Sequence, residues 1–177
     1  MAKLSWFRKI YWRNFAQPSQ ERALFRHLLE HPIGSVLEIG IGNGERMKQI
    51  LQLYSLKSGA SQLRYAAVDL FESAPLSDGH LKLKDVHRLL AESQVKAHLI
   101  PGEVVHALPR VGQNVMPSDL IIIDEGWGEA SPQGEALRSW LPRLAHETTH
   151  LFGRGCRTQP LNPIAIAAAT TATRLAA

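Results

Sequence analysis

Five short runs rich in apolar residues lie along the chain, separated by longer stretches where apolar residues recur every three or four positions. The runs are SVLEIG (35–40), LRYAAVDLF (63–71), VKAHLI (95–100), SDLIIIDEG (118–126) and HETTHLFG (146–153). Between them the spacing predicts helices near 45–54, near 82–93 (Leu83, Val86, Leu89, Leu90) and near 133–146. A further helix is expected from about Ser19, with Leu24, Phe25, Leu28 and Leu29 on its apolar face, Ser19 as its cap and Pro32 at its end. Apolar strands alternating with helices specify a sheet buried on both faces. The expected fold is α/β, a doubly wound, mostly parallel sheet of about five strands with helices on both faces.

Two segments fall outside this alternation. Residues 1–18 form a basic, aromatic arm, in which Leu4, Phe7, Tyr11 and Phe15 would share one stripe of a helix. Residues 156–177 form an alanine-rich tail, leaving 19–155 as the domain. No hairpin is expected in the tail, so the run at 146–153 would form a sheet edge. Ile164, Ile166 and Leu175 could cover that edge, or two copies could pair across it as a homodimer, which is the favoured reading.

At 177 residues the chain suits one domain with a proper core. Its 45% apolar and 20% charged residues are those of a globular protein. No apolar run approaches the roughly 20 residues of a membrane helix, and the N-terminus lacks the pattern of a secretory signal. Cys156 is the single cysteine, which excludes an internal disulfide and suggests the cytoplasm. The net charge is +4, but Lys3, Arg8, Lys9 and Arg13 supply 4 of the 20 basic residues and leave 16 against 16 acids. Basic character therefore belongs to the arm. The arm reads better as a lid over the ligand face than as a membrane or nucleic-acid contact.

Candidate chemistry centres on VLEIGIGNGERM (36–47), a strand that breaks into Gly40, Gly42 and Gly44 before a polar helix. Glycines at such a turn let backbone approach a ligand. A dinucleotide site would want its third glycine at the position of Glu45, and Glu38 would bring negative charge toward a pyrophosphate. The spacing therefore disfavours a nucleotide-dependent oxidoreductase.

The same residues resemble motif I of the class I S-adenosylmethionine (SAM)-dependent methyltransferases, over roughly residues 33–153. The resemblance implies a cofactor, SAM or its product S-adenosylhomocysteine (SAH), held by Glu38, Gly40, Gly42, Asn43 and Gly44. It implies that Asp69, 25 residues after Gly44, holds the ribose diol with Leu70 beside it. It further implies that Gly102 and Glu103 line the adenine, and that Asp124 and Glu125 lie by the methyl donor as catalytic residues. The methyl acceptor is unidentified. The alternative is a non-catalytic SAM-binding or interaction module.

Other constellations are weaker. HLLEH (27–31) matches a zinc-peptidase pattern, but Pro32 disfavours helical geometry at His31, so His27 and His31 need not share a face. His146 and His150 are also four apart, across an expected helix-to-strand change. Asp124 and Glu125 could hold a divalent ion, but nothing completes the set, and no metal site is expected. His80 and His106 are candidate general bases, with surface histidines the plainer reading. Cys156 has no evident partner for a nucleophilic role.

Overall fold

The computed structural model describes residues 19–55, 62–75, 79–128 and 130–165. The arm, Ile166 and Leu175 lie outside these residues. Among the described residues six strands form one sheet: β1 (Ser35–Ile39), β2 (Arg64–Asp69), β3 (Lys96–Pro101), β4 (Leu120–Ile123), β5 (His150–Gly153) and β6 (Asn162–Ile164). Their order is β3-β2-β1-β4-β5-β6, parallel except for the β5–β6 pair. Five helices are described: α1 (Arg22–Glu30), α2 (Glu45–Ser55), α3 (Leu83–Glu92), α4 (Val104–Asn114) and α5 (Pro132–Leu144). None of the described helices is long and apolar enough to cross a membrane.

Strand alternation divides the core in two. Val36, Tyr65, Ala67, Leu120, Ile122 and Phe152 face one side, where Leu24 and Phe25 of α1, Met47 and Ile50 of α2 and Val86 and Leu90 of α3 pack. Leu37, Ile39, Val68, Ile121 and Ile123 face the other, against Ala107, Leu108 and Val111 of α4 and Leu137, Leu141 and Leu144 of α5. Glu38 follows the first set, so its carboxylate points into an apolar layer beneath α2.

Three features depart from the sequence reading. A helix that the spacing did not predict, α4, forms over Val104–Asn114 despite Pro109 inside it. The proline forgoes one backbone bond, and Gly112 lets α4 lie close to α5, since a Cβ there would come within 2.6 Å of Trp140. Ser19 does not cap α1: it begins a short 3-10 turn, Ser19–Glu21, and α1 starts without a side-chain cap. The third departure is at the sheet edge. β5 is covered by antiparallel β6, with Leu151 opposite Ile164 and Phe152 opposite Pro163. Part of the tail thus closes the sheet as a strand, and the argument for a homodimer through a bare β5 falls. A three-residue edge strand carrying Pro163 is itself a poor template for further pairing.

Candidate functional site

Strand order reverses between β1 and β4, and their carboxyl ends open the crevice where ligands bind in such sheets. Gly40, Gly42 and Gly44 all adopt positive φ, at 89°, 58° and 74°. A Cβ on Gly40 would come within 2.9 Å of Asp124 Cβ, and one on Gly44 would collide with Leu81. For a Cβ on Gly42 the nearest atoms are those of the Arg157 guanidinium, at 3.7 Å, an ordinary contact distance. Packing thus demands two of the glycines, whereas Gly42 faces a cavity. Asn43 Oδ1 accepts from Glu45 N at 3.1 Å and starts α2.

Asp69, at the end of β2, is buried and braces the turn. Its Oδ2 accepts from the backbone N–H of Ile41 at 2.6 Å and of Gly42 at 2.9 Å. Its Oδ1 accepts from Phe71 N at 3.0 Å and lies 2.6 Å from His80 Nδ1. Phe71 has φ 50°, a strained value for an aromatic residue, which this carboxylate helps to hold. Of the four partners, only His80 is a side chain able to swing away.

Beneath the turn lies a buried charge network. Glu38 is fully buried; it accepts from Arg46 Nε at 2.6 Å and from the Tyr65 hydroxyl. Arg46 also donates to Glu21 at 2.9 Å, to Asp124 at 2.6 Å and to the Gly40 carbonyl at 2.7 Å. Arg154 donates to the Asp124 carbonyl at 2.9 Å and to its carboxylate. Burial raises the pKa of Glu38, more than Arg46 and Tyr65 lower it, and burial likewise raises Glu21 against Arg46 and Arg154. Burial also pushes Asp124 upward, but Arg46 and Arg154 together hold it below its ordinary value. Burial would lower Arg46, yet Glu38, Asp124 and Glu21 raise it, so it stays charged.

Two cavities flank Arg157. One, of about 160 Å³, is lined by Gly40, Asp69, Leu70, Gly102, Glu103 and Glu125, with His80 and Arg157 at its wall. Gly102 has φ 129°, and among the described residues, its chain neighbours apart, no atom lies within 4 Å of where its Cβ would be. The other, of about 210 Å³, includes Glu21, Gly42, Asn43, Arg46, Asp124 and Arg154 in its lining. Glu21 Oε2 is buried with no hydrogen-bond partner among the described residues. Arg157 is about a third exposed, its Nε 3.0 Å from Asp124 Oδ2 but out of hydrogen-bonding alignment, and it reaches His80 Nε2 at 3.3 Å.

The structure thus gathers the sequence candidates at one end of the sheet, with two qualifications. Glu38 lies behind Arg46, and Asp124 is enclosed by Arg46, Arg154 and Arg157, so neither offers a free carboxylate. Glu125 is half-exposed, 3.6 Å from Arg157. His80 joins the site through Asp69, while His106 stays exposed, 4.0 Å from Glu103. Cys156 is exposed, its Sγ 3.1 Å from Thr158 Oγ1. Sequence reasoning missed Glu21, Arg46, Tyr65, Arg154 and Arg157. A signal existed for Arg46: it falls on the stripe of α2 that also carries Met47, Ile50 and Leu53, where a charge must find partners.

No protein-family model matches the chain, and no curated protein matches it in sequence. Solved structures do match its fold. A candidate caffeoyl-CoA O-methyltransferase from Staphylococcus aureus superposes with a TM-score of 0.54 at 13% identity, covering 83% of this chain and 62% of that one. TomG of Streptomyces achromogenes, an O-methyltransferase involved in tomaymycin synthesis and solved with SAM, gives 0.51 at 15% identity, covering 86% and 66%. An O-methyltransferase from Bacillus cereus, solved with SAH, gives 0.50 at 15% identity, covering 86% and 57%. The chain has the Rossmann-like fold of the class I SAM-dependent methyltransferases. It spans less than two thirds of the length of each of these three structures.

Proposed function

We propose that the crevice binds SAM or SAH and that the protein is a SAM-dependent methyltransferase. The observation that carries this reading is the 160 Å³ cleft, where Asp69 and Leu70 from the end of β2 meet Gly102 and Glu103 from the end of β3. An adenosine fits that chemistry: a carboxylate for the ribose hydroxyls and an open glycine beside the base. Since the other three bonds to Asp69 come from backbone, a ribose would take the place of His80. The adjoining cavity presents both charge signs, as an amino-acid zwitterion requires. The unpartnered oxygen of Glu21 suits an ammonium, and Arg154 with the α2 N-terminus suits a carboxylate. Arg157 separates the two cavities and must move for one ligand to span both.

Bound SAM supplies a methyl group on a sulfonium, a good leaving group. The protein's part is alignment of the acceptor behind that methyl. In this reading Glu125, half-exposed at the crevice, would meet the acceptor, and Asp124, paired with Arg46 and Arg154, would orient the arginines rather than touch it. The engagement of Asp124 favours a second reading, a SAM-binding module without catalysis. Incubating the full-length protein with methyl-labelled SAM and a small-metabolite extract separates the two. Transfer of label that is lost in Glu125→Ala supports the enzyme; SAM binding with no transfer supports the module.

A further inference from the structure

Opposite the crevice, at the amino ends of the strands, three histidines converge. His27 and His31 come from the end of α1, and His150 opens β5. The His27 ring lies 4.1 Å, centroid to centroid, from both His31 and His150, and His31 lies 5.1 Å from His150. Pro32 left open whether His27 and His31 share a face; here they do, for a local reason. A residue's position is set by the backbone before it. The His31 N–H donates to the His27 carbonyl at 2.9 Å and completes the last turn of α1, while the restriction from Pro32 acts on His31's own ψ, which is 142°. His146, by contrast, is turned to Asp119 at 3.0 Å.

We propose that His27, His31 and His150 form a binding site for a divalent transition metal of the Zn²⁺ class. Each histidine offers a ring nitrogen, and these nitrogens all lie within 4.8 Å of one another. Imidazoles on a tetrahedral Zn²⁺, with bonds of about 2.0–2.1 Å, place their nitrogens roughly 3.3 Å apart. The remaining closure is within small side-chain rotations.

The supporting backbone is fixed. His31 is held by its bond to His27, and His150 N donates to the Asp119 carbonyl at 2.8 Å in the sheet ladder. Phe152 lies 5.3 Å from the His27 ring and gives the site an apolar floor. His31 is exposed, which opens a path for the ion. Imidazole donors with no carboxylate in the set select Zn²⁺, Ni²⁺ or Cu²⁺ over Mg²⁺ or Ca²⁺. A bound ion would clasp the end of α1 to the start of β5, and the fourth position would be left to water.

The test uses full-length protein, stripped by chelator, with Cys156→Ser to remove the exposed thiol as a competing ligand. Zn²⁺ should bind at one equivalent and raise the thermal midpoint by about 5 °C or more at saturation, with Mg²⁺ inert. Co²⁺ should give the visible absorption of a tetrahedral complex. His31→Ala, at an exposed position, should weaken Zn²⁺ binding about tenfold or more, and His31→Ala with His150→Ala should abolish it, while His106→Ala changes nothing. Equal Zn²⁺ affinity in the double variant and its parent, or no thermal shift with Zn²⁺, would overturn the site.

Discussion

Arg46→Met should lower the thermal midpoint at pH 7 by roughly 6–20 °C, from a loss of about 3–5 kcal/mol. The side chain removed is the common partner of Glu38, Glu21 and Asp124, all nearly inaccessible to solvent. Methionine fills similar space but leaves Glu38 with only the Tyr65 hydroxyl and Glu21 with only Arg154 at 3.6 Å. Arg46→Lys should fall between the two, since an ammonium cannot reach in one plane to Glu38, Glu21, Asp124 and the Gly40 carbonyl. The pH dependence has a defined sign. The folded-state pKa values of Glu38 and Glu21 are already raised, so their contribution is most favourable below their ordinary value of 4.5 and is lost as pH rises through the folded values. Removing Arg46 raises them further, so the deficit of the variant should be larger at pH 7 than at pH 5. Unfolding curves at the two pH values check this; an Arg46→Met protein as stable as the parent at pH 7 would show that the network is not balanced around Arg46.

Gly42→Val should abolish SAH binding, a loss of at least a hundredfold, while the protein still folds. The three glycines differ here. At Gly40 and Gly44 an added Cβ strikes Asp124 or Leu81, so substitution disturbs packing whatever the ligand does. At Gly42 the nearest atoms to a Cβ are 3.7 Å away and belong to a guanidinium that is partly exposed. Positive φ with a β-branched residue costs about 1–3 kcal/mol, a tolerable loss, but the side chain enters the cavity that would receive the amino-acid part of the ligand. Circular dichroism establishes folding and calorimetry reads binding; a folded Gly42→Val protein that binds SAH normally would move the ligand away from the turn.

The parallel strands were legible because burial on both faces writes itself as an unbroken apolar run, as in LIII of β4. The turn at the carboxyl end of β1 was legible through Gly40, Gly42, Gly44 and Asp69, whose types follow from positive φ and from bonds to the turn's backbone N–H groups. Helix α4 was hidden by Pro109 and Gly112, each a breaker in isolation; the helix forgoes one backbone bond at Pro109, and Gly112 makes room for Trp140 of the neighbouring helix. β6 was hidden because NPI has neither length nor alternation; its strand character comes from pairing with β5. The network around Glu38 was the least legible part. Tyr65 reads as one more apolar strand residue, and Arg154 and Arg157 read as loop cations. Their roles exist only once the end of β5 is folded beside that of β4. The same holds for His150, brought to His27 and His31 by strand order alone.

The direct test of the claim that the crevice is a SAM/SAH site, on which both the enzyme and the module readings rest, is calorimetric titration of the full-length protein with SAH and, separately, with NAD. The cleft at Asp69, Leu70, Gly102 and Glu103 predicts micromolar binding of SAH, about −7 to −8 kcal/mol, with NAD much weaker because Glu45 stands where a dinucleotide turn needs glycine. Equal or tighter binding of NAD, or no binding of SAH, would contradict it.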